Sequence, residues 1–305
     1  MKTILLFLLL SLTAQAQLVY NWDPRNFKLL PPGTEVFSDF LTNTRKPGIV
    51  PKSMEISNQM VLDSARRYNL KVWLSASAEY PGNVEKYDKD PVVIGYSTFD
   101  EISGEITLKG WHSLAALRKL TTKEILVTCN NFLQLWQVGM VCTRVGPDPY
   151  ISPKVSHRQV ALATSEAVKT GKKVTTILNN YSEGSDTRLP DYADLRAQVF
   201  AAICSGADNV GFFSGDTRRY NKETKQLEGW QLSQDPDRLT WTIMLLKEIG
   251  KYKGLAFRYI FTGQKGVYAC YRGNTLIVCN TDRVERLVVV EGRTVRLSSL
   301  GVEIQ

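Results

Sequence analysis

The sequence predicts an α/β protein, a (β/α)8 barrel followed by a small antiparallel β domain, and three observations carry that expectation. From Ser57 onward helical periodicity alternates with short β-rich runs, the pattern of repeated βα units on a parallel sheet. After Gly254 the helices stop and β runs follow one another through turn residues. Removing a short leader from the 305 residues leaves enough chain for a barrel of about 250 residues and a remainder of about 50.

The leader comes first. Lys2 precedes the apolar run Ile4 to Leu10, and Ser11 and Thr13 lead to Ala14-Gln15-Ala16. A basic start, a short apolar core and a small-residue end predict a secretory signal over 1–17, cleaved near Ala16 or Gln17. The mature protein is therefore expected to be secreted or periplasmic. The apolar run falls short of the roughly 20 residues that span a bilayer, and no later segment approaches that length. No cysteine stands at the cleavage region to accept a lipid.

The barrel is assigned to 18–253. Leu18 to Trp22 is its first strand, and Glu35 to Phe40 or Gly48 to Val50 a weak second. Pro24, Pro31, Pro32 and Pro47 exclude a regular helix between them, so the barrel is expected to start irregularly, shortened or incomplete. Ser57 can cap a helix running to Tyr68. Strands follow at Leu70 to Leu74, Pro91 to Phe99, Glu124 to Thr128, Val138 to Val145, Lys173 to Leu178 and Asn209 to Phe213. Helices fall at Trp111 to Leu120, Phe132 to Gln137, Pro153 to Thr170, Tyr192 to Ser205 and Arg238 to Ile249. The β domain, 254–305, offers Phe257 to Phe261, Gly266 to Tyr271, Thr275 to Asn280, Arg286 to Val290, Thr294 to Leu297 and Val302 to Ile304. At about 50 residues it is expected to lean on the barrel for stability.

Composition narrows the function. The formal charge of +8 comes from 38 basic and 30 acidic residues, and the pairs Arg66-Arg67, Lys172-Lys173 and Arg218-Arg219 are isolated. That is no basic stripe interleaved with aromatics, so nucleic acid is excluded as the expected partner. Two histidines, His112 and His157, do not make a multi-histidine metal site, and no cofactor is expected. The five cysteines, at 129, 142, 204, 270 and 279, have no CxxC spacing and read as small core residues. A turn at Gly273-Asn274 would set Cys270 opposite residue 277, which argues against pairing Cys270 with Cys279.

Catalytic groups of such barrels stand where strands end and βα loops begin. Those ends hold Ser75, Ser77 and Glu79; Asp100 and Glu101; Asn130 and Asn131; Asp148 and Tyr150; Asn179, Asn180, Tyr181, Glu183 and Asp186; Ser214 and Asp216. Cleaving a glycosidic bond needs two carboxyl groups, one protonated for the leaving oxygen and one ionised as nucleophile or base. The strand ends supply several. An acid just past a strand is also a common helix cap or turn residue, and Asp148-Pro149 is a turn former. Trp230, in the long segment after the last strand with Tyr220 nearby, offers a flat ring for a sugar to stack on. Tyr96 and Trp73 are expected in the core or behind the site, and the histidines as satisfied polar groups.

The run Asp90-Pro91-Val92-Val93-Ile94-Gly95-Tyr96-Ser97-Thr98-Phe99-Asp100-Glu101 resembles the fourth-strand segment of secreted TIM-barrel glycoside hydrolases and glycosidase-like proteins. Gly146 to Tyr150, Gly171-Lys172-Lys173-Val174 and Leu195 to Phe213 are similar in the same order, so the resemblance covers about residues 58 to 250. It implies that Glu101 is the general acid/base, with Asp100 where the superfamily has a substrate-orienting Asn. The seventh strand, where a retaining member carries its nucleophilic Glu, ends here in Asn179-Asn180-Tyr181. Glu183 can then swing in as the second carboxylate, or Asp216 or Asp148 can act as a base in an inverting arrangement, which tolerates carboxyls about 6.5–9.5 Å apart; the sequence leaves retaining and inverting both open. Asp100, Asn130, Asp148, Tyr150, Asn179, Tyr181 and Trp230 are the expected contacts to an oligo- or polysaccharide. The competing expectation is a degenerate barrel that binds glycan or a protein partner without turning it over.

Overall fold

The structure, a computed structural model, describes residues 18–20, 24–38, 52–76, 82–97, 108–130, 135–149, 156–180, 190–213, 219–220, 227–228, 235–252 and 254–305. Eight parallel strands close into a barrel: β1 (Leu18–Tyr20), β2 (Glu35–Ser38), β3 (Lys71–Ser75), β4 (Val93–Ser97), β5 (Glu124–Cys129), β6 (Arg144–Pro147), β7 (Lys173–Asn179) and β8 (Asn209–Phe213). Each pairs with the next, and Leu18 to Tyr20 closes the ring against Gly211 to Phe213. The barrel start is therefore closed, with two short strands where they were expected, and it is irregular, as expected, in the link between them. A 3-10 helix, Pro24–Leu29, links β1 to β2 where the prolines bar an α-helix. Phe27 and Leu30 of that link are buried, so it covers the barrel as a helix would.

Helices α1 (Lys52–Arg67), α2 (Gly82–Tyr87), α3 (Leu108–Leu120), α4 (Leu135–Val141), α5 (Arg158–Val168), α6 (Tyr192–Cys204) and α7 (Pro236–Gly250) alternate with the strands. Helix α1 begins five residues before Ser57, which lies inside it and does not cap it. The stretch from Val138 departs further from expectation, because α4 runs to Val141 and the strand starts only at Arg144. Leu135, Gly139 and Cys142 are buried at helical spacing, while Trp136 and Met140 face solvent. A Cβ on Gly139 would lie 2.9 Å from Thr170 Cβ, so the glycine lets α4 approach the turn after α5. After β8 the chain carries a two-stranded piece, β9 (Arg219–Tyr220) with β10 (Leu227–Glu228), that sequence periodicity did not reveal.

Alternation along the strands builds two cores. Val36, Leu74, Val127 and Leu178 point outward into the layer shared with the helices. Their neighbours Phe37, Trp73, Leu126 and Ile177 point inward and, with Leu18, fill the barrel.

The C-terminal β domain has a four-stranded antiparallel sheet, β11 (Phe257–Ile260), β12 (Val267–Arg272), β13 (Thr275–Asn280) and β16 (Val302–Ile304), and a hairpin of β14 (Arg286–Val290) and β15 (Arg293–Leu297). Its strands sort their side chains by twos. Val267, Ala269, Leu276 and Val278 pack on the hairpin's Val288, Val290, Val295 and Leu297. Tyr268, Cys270, Ile277 and Cys279 pack on the barrel's outer layer. The sheet therefore uses the barrel as half of its core, which is how so few residues hold together.

Asp194 pins this junction. It belongs to a capping box with Asp191 at the start of α6, and its Oδ1 lies 3.0 Å from His157 Nε2 and 2.5 Å from Arg283. Burial would raise its carboxyl, but His157, the Asp191 N–H and Arg283 outweigh that and hold it at about 2. A carboxylate held below its unfolded value stabilises the fold above about pH 4, and that contribution is lost as pH falls towards 2. Asp194→Asn is therefore expected to lose about 2 kcal/mol at pH 7. Urea midpoints of variant and wild type should converge between pH 4 and 2; a pH-independent gap would remove the charge from this account.

Candidate active site

The inner face of the barrel is layered from floor to mouth. At the floor, the first residues of the strands form a polar plug, buried at Glu35, Arg144 and Asn209. Arg144 donates through Nε to Glu124 Oε2 (2.8 Å) and through Nη1 to Thr175 Oγ1 (3.0 Å), and lies 3.6 Å from Glu35 Oε2. Glu35 also accepts from Trp73 Nε1 (2.9 Å) and Asn209 Nδ2 (3.2 Å), and Lys173 pairs with Glu124. Burial would raise the Glu124 carboxyl, but Arg144 and Lys173 keep it below its ordinary value. Residues at this N-terminal end of barrel strands serve stability.

Trp73 fills the middle of the barrel, wholly buried, with the Arg144 guanidinium 5.1 Å from its ring centroid. Gly95 makes room for it: a Cβ there would sit 2.4 Å from the indole Cζ3 and 2.7 Å from the Glu124 carbonyl oxygen. A Cβ on Gly146 would likewise meet Leu126 and Thr128 at 3.1 Å. These contacts set the phase of β4 and β6, because both glycines lie on the inner side.

That phase brings one polar layer to the mouth. Two residues beyond Trp73, Gly95, Leu126, Gly146 and Ile177 stand Ser75, Ser97, Thr128, Asp148 and Asn179, on the same inner side by alternation. Asp148 lies just past β6, and its N–H still bonds the Cys129 carbonyl oxygen (3.2 Å), so the ladder continues to it. Ser97, Thr128, Asp148 and Asn179 are all buried. The arrangement offers a carboxylate, an amide and hydroxyls from neighbouring strands at the end where barrel enzymes work.

The expected site residues divide accordingly. Asp148 and Asn179 come together in this layer, whereas Asn130, at the end of β5, is exposed to solvent. Asn180 turns the other way: its amide donates to Thr242 Oγ1 (2.7 Å) and its Oδ1 accepts from Arg238 (3.3 Å), fastening β7 to α7. Asp100, Glu101, Tyr150, Tyr181, Glu183, Asp216 and Trp230 lie outside the described residues. Tyr96 faces outward and donates to Asp88 (3.3 Å), and His157 serves Asp194, so both are structural, as expected of them. Sequence reasoning missed Ser97 and Thr128, which the two-residue step from Gly95 and Leu126 would have found. Among the described residues no group of three His, Cys, Asp or Glu side chains is placed to hold a metal ion, and no helix is long and apolar enough to cross a membrane.

No family model matches the sequence, and no curated protein matches it. Solved structures do share its architecture. An α-amylase from Anoxybacillus, of a glycosyl hydrolase subclass, superposes with a TM-score of 0.57 at 10% identity, over 96% of this chain and 97% of that one. An endoglucanase from Pseudomonas stutzeri, in complex with cellobiose, gives 0.50 at 12% identity, over 73% and 83%. At these identities the likeness is one of fold.

Proposed function

We propose that the chain is a secreted glycoside hydrolase acting on an oligo- or polysaccharide, with Glu101 as the acid that protonates the leaving oxygen and Asp148 as the base that activates water. The observation that carries this reading is the polar layer at the mouth, where Asp148 and Asn179 close the inner face of adjacent strands. Glu101 follows the end of β4 by four residues, and β6 is two strands away in the ring. The proposal needs the Glu101 carboxyl to stand about 6.5–9.5 Å from that of Asp148, with room for a water between, the inverting arrangement. Asn179 at the end of β7 supplies no nucleophile and suits a sugar hydroxyl instead. Glu183 and Asp216, which follow β7 and β8 along the chain, are the competing second carboxylates.

A second reading, a barrel that binds glycan without cleaving it, is favoured by the same Asn179. Reducing-end release from a panel of oligosaccharides, run on wild type beside Glu101→Gln, separates the two. Hydrolysis by wild type that the substitution abolishes supports catalysis by Glu101; equal turnover discards that role. Calorimetric glycan binding with no turnover by either protein establishes the second reading.

A further inference from the structure

Three cysteine sulfurs gather where α6 meets the β domain. Cys204 is the last residue of α6, Cys270 lies in β12 and Cys279 in β13, and all three are fully buried. Cys270 Sγ is 3.7 Å from Cys204 Sγ and 3.9 Å from the Ile203 carbonyl oxygen, while Cys204 Sγ lies 3.7 Å from the Ile277 carbonyl oxygen. Cys279 Sγ contacts the Ala197 carbonyl oxygen at 3.6 Å.

We propose that Cys204 and Cys270 form a disulfide under oxidising conditions, locking the β domain covalently to the barrel. Geometry selects this pair over the other two. Cys270 stands opposite Ile277, so Cys279 is its diagonal neighbour, and diagonal Cα atoms are about 7–8 Å apart, outside the usual 4.4–6.8 Å of a disulfide. Cys279 meets α6 at Ala197, seven residues before Cys204, which is about 10 Å along the helix axis. Cys129, at the end of β5, and Cys142, just after α4, stand on other elements of the barrel. Cys204 and Cys270 already touch, and side-chain rotation is asked only to shorten their separation to about 2.05 Å.

The chemistry is thiol–disulfide exchange with a disulfide-bearing oxidant. One thiolate attacks the oxidant and releases one thiol; the second then attacks the mixed disulfide, forms the Cys204–Cys270 bond and releases the other thiol. Two electrons pass to the oxidant, and the two protons leave on its thiols. In the docked state both sulfurs are fully buried and out of an oxidant's reach, so the exchange takes place while α6 and the sheet are still apart. The bond is thus made during folding and then enclosed. This inference stands independently of the glycosidase reading.

The experiment refolds the full chain with either oxidised glutathione or dithiothreitol, alkylates it in denaturant and maps its peptides. The expected product has lost two hydrogens, carries a peptide linked through Cys204 and Cys270, and melts roughly 4–16 °C above the reduced form. Cys204→Ser and Cys270→Ser should abolish the difference in melting temperature, and Cys279→Ser should keep it. Five alkylated thiols after oxidative refolding, or a link between any other pair, overturns the proposal. Should a serine variant fail to fold, the wild-type peptide map still decides.

Discussion

Arg144→Met is expected to lower stability by about 3–5 kcal/mol, the range for removing one partner of a buried charge cluster. In a protein of this size that is roughly 6–20 °C in melting temperature. Arg144 is the only described cation that reaches both Glu35 and Glu124, with Nη2 2.6 Å from Glu124 and Nη1 3.6 Å from Glu35. Methionine fills similar space but takes the guanidinium away from Glu35, which still accepts from Trp73 and Asn209. Lys173 stays with Glu124, which moderates the loss there. Arg144→Lys keeps the charge but not the planar fork, so it should fall between the two.

The pH dependence identifies the cause. Glu124 titrates below its ordinary value, so in wild type its pairing stabilises the fold at neutral pH and the contribution fades as the carboxyl takes up a proton in acid. The deficit of Arg144→Met should accordingly shrink below about pH 4, because a protonated carboxyl no longer needs the cation. Chemical denaturation of the three proteins at pH 7 and at about pH 3 measures both effects. A methionine variant as stable as wild type at pH 7 would show that the plug is dispensable and that apolar packing around Trp73 carries the barrel floor.

Much of the barrel was legible because its strands are short apolar runs bounded by turn residues. Even the proline-broken start yielded Leu18–Tyr20 and Glu35–Ser38, since two strands were needed for closure. What misled was local chemistry that two structures share. Val138 to Val145 is rich in β-branched residues, yet the burial of Leu135, Gly139 and Cys142 makes its first half a helix. Six residues, Gly82–Tyr87, are too few for helical periodicity to register, and two-residue strands such as Arg219–Tyr220 leave no pattern at all.

The site was harder to read than the fold for a physical reason. Barrel strands are apolar on both faces, so sequence does not say which side chains look inward. Asp148-Pro149 reads locally as a turn; its position at the mouth follows only once Gly146 is seen to lie against Leu126 and Thr128. Cys204 and Cys270 are 66 residues apart and meet only because the β domain docks on α6. The turn at Gly273-Asn274 did set Cys270 opposite Ile277, which correctly argued against Cys279 as its partner.

Replacing the proposed acid and the proposed base should cost the most activity. General acid and general base catalysis contribute about 10²–10⁴-fold each, so Glu101→Gln and Asp148→Asn are each expected to lower kcat/KM by that factor. Both substitutions are close to isosteric, so melting temperatures should stay near wild type. If the two carboxyls act on one transition state, the double variant should be little worse than either single one, since groups that work as a unit are not additive. A water activated by Asp148 attacks from the face opposite the leaving group, so the first sugar released should carry the inverted anomeric configuration, visible by proton NMR before mutarotation. The Asn179 amide, on the same inner layer, makes a separable prediction. Asn179→Ala should raise KM more than it lowers kcat if the amide holds a sugar hydroxyl equally in ground and transition states. Asp148→Asn with undiminished turnover, or a product of retained configuration, would transfer the second carboxylate to Glu183 or Asp216, and the corresponding Gln or Asn variants would then locate it.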